Sequence, residues 1–400
     1  MDINSLFDTG HKMELFTNAC FQTLNYYIDT NLKVIEEKVN SSGKVDVLEL
    51  DIYAKSFDNT SVNATLVECK RGCTFNDLFL FVGISNLINA DHNIMVVLSK
   101  QLEDIKYQAN KLNVVILEPL ELYNQINSNQ ETIFSMFYSW NEMKYSIMSR
   151  DFIKLCLTPT HRLLPRQQDA YNGVRGYLSL VSGKIWREPD LLLRAQSFSD
   201  LLNSHKDFVR KIARIQELQP ANRNSQYYID SNEICQAAGA LVLDVKLAYI
   251  VCAVECAILQ IDTNSVKDIG FNNLVVKLAS NIDIAALIPK FLQYFINIFG
   301  GIYLNNPEDI NNICSIIKIS PNQFDDIISF LKELFILPEI KIQWGFEEDF
   351  LVANLKYTPS LYKAIGIENR EKLNFNTNMF VQKDVWEKKL RNWRIKYEIN

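Results

Sequence analysis

Four charged residues are spaced for shared chemistry within the segment 45–71. Glu49 and Asp51 alternate with apolar residues, and Glu68 and Lys70 alternate in the same way after a polar stretch. Side chains two residues apart in an extended strand point to the same face, so each run presents its charges on one side. Three carboxylates that converge near one ammonium group repel one another unless a cation lies among them. Oxygen ligands of this kind are typical of a Mg²⁺ site.

The lysine has a defined task in such a site. A bound Mg²⁺ acidifies an attacking water, and an adjacent ammonium group orients or activates that water or meets the charge that develops on a phosphate. The alternative is the solvated face of an ordinary hairpin, because a Glu-x-Lys triplet is common by chance. The triplet follows a Glu-x-Asp strand and precedes a run of alternating strands and helices. That context favours the catalytic interpretation.

A hairpin is needed to bring these charges together. The polar stretch 56–63 is rich in turn-forming residues and predicts the connection between two strands. The apolar stripe of 13–28 predicts an amphipathic helix before the hairpin, and 33–39 predicts a short first strand. The predicted order therefore begins with one helix and three strands.

Two further acids compete for a role in the site. Glu14 lies in the first turn of the predicted helix, where an acid interacts favourably with the helix dipole whether or not it has a role in the site. Asp46 is a rival to Asp51, but the alternation places it on the apolar side of its strand with Leu48 and Leu50. Asp51 is therefore the expected principal metal ligand.

The residues after Lys70 predict alternating helices and buried strands. Thr74 and Asp77 form a capping-box pattern at the start of a helix over 75–88. That helix is apolar nearly all round, which predicts that it is covered both by a sheet and by another helix. The apolar runs 93–97 and 114–118 predict buried parallel strands, and Ser99 is the expected cap of the helix between them.

Asp51 followed by the triplet Glu68-Cys69-Lys70, in this order of elements, resembles the PD-(D/E)xK nucleases and most of all the Mrr-type restriction endonucleases. The resemblance covers about residues 10–120. It implies an α/β restriction-endonuclease-like domain over 1–124, with a mixed central sheet flanked by helices. It implies catalysis by Asp51, Glu68 and Lys70. It also implies Mg²⁺, replaceable by Mn²⁺, on ligands drawn from Asp51, Glu68, Glu49 and Glu14.

The remaining residues, 125–400, predict a mainly helical region that a polar connector at 218–232 divides. Residues 1–125 carry ten Lys and Arg against seventeen Asp and Glu, whereas 141–225 carry fourteen against eight. Such a basic stretch suits contact with phosphate backbone, although ordinary charge variation explains it equally well. The candidate nucleic-acid-binding residues are Arg150, Lys154, Arg162, Arg166, Arg175, Arg210, Lys211 and Arg214.

Composition narrows the remaining classes. The eight cysteines have no zinc-ligand spacing, and no phosphate-binding loop or serine-nucleophile elbow is present. No secretion signal and no uninterrupted apolar span occur, so a cytoplasmic protein without membrane contact is expected. The resemblance implies a metal-dependent endonuclease that acts on DNA rather than RNA, as an effector of restriction or anti-phage defence. Alternatives are a silent nucleic-acid-binding or assembly subunit, and a nuclease that a ligand or partner switches through the helical region. A homo-oligomer, or a partner subunit of a defence system, is compatible with each.

Overall fold

A computed structural model describes residues 7, 9–37, 44–99 and 103–131, then separate positions up to 228, and finally 248–297 and most of 311–336. The chain divides into two compact units. The first is chiefly Met1–Glu142, and the second is chiefly 143–376.

A five-stranded mixed sheet forms the centre of the first unit. Its strands are β1 (Tyr27–Glu37), β2 (Lys44–Phe57), β3 (Val62–Lys70), β4 (His92–Val97) and β5 (Val114–Leu117). Their order across the sheet follows the chain. The β1–β2 and β2–β3 pairs are antiparallel, and the β3–β4 and β4–β5 pairs are parallel. The predicted mixed sheet is therefore confirmed.

Helices flank this sheet. Three of them occur in the predicted order, α1 (Gly10–Thr23), α2 (Phe75–Ile88) and α3 (Glu103–Lys111), and a short helix that was not predicted, α4 (Pro119–Tyr123), follows β5. The capping box of α2 is present, because Asp77 Oδ2 accepts from the Thr74 N–H at 2.9 Å and Thr74 Oγ1 accepts from the Asp77 N–H at 3.3 Å. The α/β class of this unit follows from these elements.

The predicted limits of the first helix were wrong. Thr9 caps α1, so the helix begins before its predicted start at 13, and Asn25 follows its end with a left-handed φ of 72°. Asparagine tolerates that conformation better than most residues, and the β-prone residues that follow enter the sheet. Tyr27 therefore lies in β1, opposite Lys55 of β2, and does not extend the helical stripe. As a consequence, Glu14 lies in the second turn of α1 and not in its first.

Ser99 ties the end of β4 to the residue that follows β3. Its N–H donates to the Arg71 carbonyl at 3.0 Å. Helix α3 is described from Glu103, and residues 100–102 lie outside the described residues. The cap at Ser99 therefore stays a prediction.

The main apolar core lies between the sheet and the two helices α2 and α3. Burying apolar side chains of this size contributes about 1.5–3 kcal/mol each. Its central members are Leu66, Met95 and Val97 from the strands, Leu78 and Phe81 from α2, and Ile105 and Ala109 from α3.

Residues beyond the predicted boundary at 124 belong to the first unit. Gln130 Nε2 donates to the Thr23 carbonyl at 3.1 Å, and Asn141 Nδ2 donates to Gln22 Oε1 at 2.8 Å. The ring of Phe134 lies edge-on to that of Phe16, with centroids 5.3 Å apart. The segment that follows α4 therefore packs against α1 and forms hydrogen bonds with its last turn.

Helices account for most of what the structure describes in the second unit. They include 248–258, α5 (Ile269–Ala279), α6 (Ile282–Ala285), α7 (Ile288–Asn297) and α8 (Pro321–Ile336). The described residues of this unit include no strand. Cys252 and Cys256 are buried free thiols, as predicted. In the described parts of the chain, no helix has the length and apolarity needed to cross a membrane.

Candidate active site

The candidate site lies where β2 and β3 separate. Their antiparallel pairing runs from Phe57 opposite Val62 to Ile52 opposite Val67. At the next residue, Asp51 Oδ2 accepts a hydrogen bond from the Cys69 N–H at 3.1 Å. A carboxylate thus satisfies a backbone donor at the end of the ladder, which fixes Asp51 beside the Glu68–Lys70 triplet.

Asp51 is held in surroundings that disfavour its negative charge. Burial raises its pKa, and the nearby carboxylate of Glu68 raises it further, to about 7. The hydrogen bond from Cys69 and the ammonium of Lys70 act in the opposite direction, while Glu14 adds to the increase. A buried carboxyl between two other acids gains most from a neighbouring cation.

Lys70 contacts Glu68 directly, with Nζ 2.7 Å from Oε1. Burial alone would lower the pKa of Lys70, but the hydrogen bond with Glu68 and the charges of Glu68 and Asp51 raise it above its ordinary value. The side chain of Lys70 is 40% exposed and that of Glu68 is 15% exposed. The lysine is therefore a protonated hydrogen-bond donor with access to solvent, and it does not serve as a base at neutral pH.

Glu14 approaches the site from α1. Thr17, one turn further along the same helix, accepts a hydrogen bond from the Cys69 thiol, with Sγ and Oγ1 3.6 Å apart. Cys69 is the residue whose N–H binds Asp51, so this contact aligns α1 with the end of β3. The Glu14 carboxylate also contacts His11, with Oε2 3.4 Å from Nδ1. Since Glu14 lies in the second turn, the helix dipole gives little reason for an acid at this position.

Cys69 and Thr17 are parts of the site that sequence reasoning missed. Burial raises the pKa of Cys69 well above the ordinary thiol value, so the group stays a neutral thiol. It positions its neighbours through its backbone N–H and its contact with Thr17. No local pattern distinguishes these two residues from other core positions, because their roles depend on the contact between α1 and β3.

Glu49 and Asp46 precede Asp51 on β2. Glu49 is exposed, and its backbone lies opposite that of Lys33 in the register of β2 with β1. The register shifts between Val34 and Ile35, which lie opposite Leu48 and Asp46. Such an irregularity interrupts the two-residue alternation that grouped Asp46 with Leu48. The Asp46 side chain lies outside the described residues, so its exclusion from the site stays a prediction.

The donor set fits a hard divalent cation bound through few protein ligands. Among the described residues, no three His, Cys, Asp or Glu side chains are already arranged to bind one metal ion. Each carboxylate here contacts a protein group: Asp51 the Cys69 N–H, Glu68 the Lys70 ammonium, and Glu14 His11. Mg²⁺ needs only one or two carboxylates, with water and substrate oxygens completing its shell. Asp51 and Glu68 would supply those two.

Two of the predicted phosphate-binding residues lie in segments that touch each other. Arg166 and Arg214 are both exposed. The neighbouring Gln167 is buried, and its Nε2 donates to the Ile215 carbonyl at 3.1 Å. Both arginines are therefore carried by one local assembly of the second unit. The other candidates, Arg150, Lys154, Arg162, Arg175, Arg210 and Lys211, lie outside the described residues.

No protein-family model, curated protein or solved structure matches this chain.

Proposed function

We propose that the chain is a metal-dependent nuclease of the PD-(D/E)xK type that hydrolyses phosphodiester bonds in DNA. The observation that supports this most is the position of Asp51, Glu68 and Lys70 at one end of the β2–β3 pair. Two carboxylates and an ammonium group lie there, and burial together with the charge of Glu68 raises the pKa of Asp51 to about 7. An ordinary solvated hairpin face would not hold an acid in such unfavourable surroundings.

Asp51 and Glu68 would hold Mg²⁺ or Mn²⁺, with Glu14 beside them. When bound, the ion supplies positive charge to the phosphate oxygens and acidifies water. Holding two acids close together costs stability, and the same repulsion favours capture of a divalent ion. Glu14 is preferred to Glu49 as the third acid because its charge acts on Asp51.

Lys70 would act as a cationic donor. Its ammonium group would orient water for in-line attack at phosphorus and stabilise the negative charge that develops on the phosphate oxygens. The attacking water would form the new P–O bond and lose one proton to bulk solvent, while the bond to the leaving sugar oxygen breaks and that oxygen takes one proton from solvent. Because the pKa of Lys70 is raised, Lys70 would not accept the proton of the attacking water.

Incubation of the full chain with supercoiled plasmid, linear duplex, single-stranded DNA and RNA tests this proposal. With Mg²⁺ or Mn²⁺ we expect nicking or linearisation of DNA, and with EDTA we expect none. If no substrate is cleaved with either ion, but DNA is still bound, the silent binding subunit becomes the better assignment. Cleavage of RNA alone would correct the substrate class.

Reversing the charges of Arg166 and Arg214 together is expected to weaken DNA binding. Each lost phosphate contact should lower the slope of log K against log salt by about 0.9 on duplex DNA, because fewer counterions are released. Fluorescence anisotropy over a range of salt concentrations measures this slope. Metal affinity at Asp51 should not change.

Lys267→Glu is the matched control, since Lys267 is an exposed cation of the second unit outside the basic stretch. Its salt slope should equal that of the unaltered chain. Equal slopes for all three proteins would show that the arginines do not hold DNA, and the helical unit would then be better explained by recognition of a ligand or protein.

A further inference from the structure

Helix α2 packs against the sheet through Leu78 and Phe81, but its outward face is apolar and exposed. Phe75, Phe79, Leu80 and Leu87 are 43%, 58%, 66% and 53% exposed. At about 100° per residue, these positions fall within one arc of about 140°, together with Asn76, Gly83 and Asn86. This arc, here called the α2 face, contains no charged residue.

Gly83 lies at the centre of the α2 face. A Cβ atom placed at this glycine has nothing within 4 Å, so none of the described residues fills the space above it. A glycine inside a helix costs about 1 kcal/mol relative to alanine. Because glycine has no side chain, the backbone of another helix can approach closely at this point.

The α2 face is complementary to itself. Phe79 and Leu87 stand four residues on either side of Gly83, and Leu80 and Asn86 stand three residues on either side. If two copies of α2 cross in antiparallel fashion about a two-fold axis at Gly83, Phe79 of each copy meets Leu87 of the other. A two-fold interface requires this self-complementarity, and an uncharged arc brings no like charges together across the axis.

We propose that the α2 face is the interface of a homodimer, with Gly83 at the two-fold axis. A nucleic acid or an anionic membrane surface is a poor occupant, because the arc offers no basic side chain. The four apolar side chains expose about 450 Å² per copy if each offers roughly 200 Å² when fully exposed. With the asparagines and glycine added, the buried total reaches about 1,200 Å², the lower end for specific interfaces. The dimer is therefore of modest affinity.

Disulfide trapping of the full chain tests the axis. Gly83→Cys places a thiol where two copies meet, and mild oxidation is expected to convert most of the protein to a covalent dimer. Asn110→Cys, on an exposed position of α3, is the control and should not be trapped. The cysteines that the structure describes are buried, which keeps their contribution to trapping low.

Sedimentation velocity from about 1 to about 100 µM tests the contacts. The unaltered chain should associate to a dimer over this range, and Leu87→Glu should shift it to monomer with at least a tenfold weaker association. Val276→Glu makes the same change on an exposed apolar position of α5 and should leave the dimer intact. The proposal is overturned if the unaltered chain stays monomeric and the Gly83→Cys variant is not trapped. A dimer that survives Leu87→Glu also overturns it. Neither outcome depends on nuclease activity.

Discussion

Lys70→Ala is expected to lower metal-dependent DNA cleavage by about a thousandfold. The substitution removes the ammonium group that would orient water and meet charge at the phosphate, an interaction that typically accounts for a loss of this size. Gel assays with Mg²⁺ at saturating DNA measure the rate. Folding should be retained, because the Lys70 side chain is 40% exposed and forms no part of the apolar core.

Two comparisons separate catalysis from structure. Mn²⁺ binding by calorimetry should survive in Lys70→Ala, because the two carboxylates remain, whereas Glu68→Ala should lose both cleavage and metal. Lys111→Ala removes a lysine from the exposed surface of α3, where Nζ lies 4.5 Å from the Tyr107 ring centroid, and should cleave normally. Full activity of Lys70→Ala would overturn the assignment.

Asp51→Asn is expected to stabilise the metal-free first unit above pH 7 while it abolishes metal binding. The pKa of Asp51 is about 7 in the folded chain against an ordinary value of 3.8. The folded state therefore holds the proton more tightly, and the stability linked to this group is present below about pH 4 and lost as pH rises to about 7. Removing the charge should recover about 2–4 kcal/mol at pH 8, and almost nothing near pH 4. Hydrogen exchange of the β2 and β3 amides in EDTA follows this unit alone.

Asp58→Asn provides a control of opposite sign. Hydrogen bonds from Ser61 and Thr60 lower the pKa of Asp58 to about 2, so its stabilising effect is present above about pH 4 and lost as pH falls through about 2. Its substitution should weaken the β2–β3 turn at neutral pH.

Asp46→Asn should retain most Mn²⁺ binding. Loss of binding in Asp46→Asn but not in Asp51→Asn would show that the predicted strand alternation is one residue out of register.

The order of elements and the main charged set could be predicted because both depend on local signals. The alternation in β3 separates Glu68 and Lys70 from Val67 and Cys69, and the structure bears this out in their burial. The capping box at Thr74 could be predicted for the same reason, since its cause is short-range. These features need only a few neighbouring residues to be defined.

Features that depend on distant contacts could not be predicted. The break at Asn25 places Tyr27 in a strand, although its position also suits a helical stripe. The α2 face has the composition of a buried surface but is exposed, because composition does not record which side of a helix the rest of the chain contacts. The contact of Thr17 with Cys69 joins residues that only the folded sheet brings together.

The strand order of the sheet has a consequence for how the protein is made. Because each strand pairs with the one synthesised just before it, the sheet can grow by adding a strand to its open edge as the chain emerges from the ribosome. Mean sequence separation between paired strands stays small, which favours rapid folding. Gln130 and Asn141, which hydrogen-bond to the last turn of α1, are synthesised after the whole sheet. All the carboxylates of the candidate site are therefore translated before the residues that complete the contacts of α1.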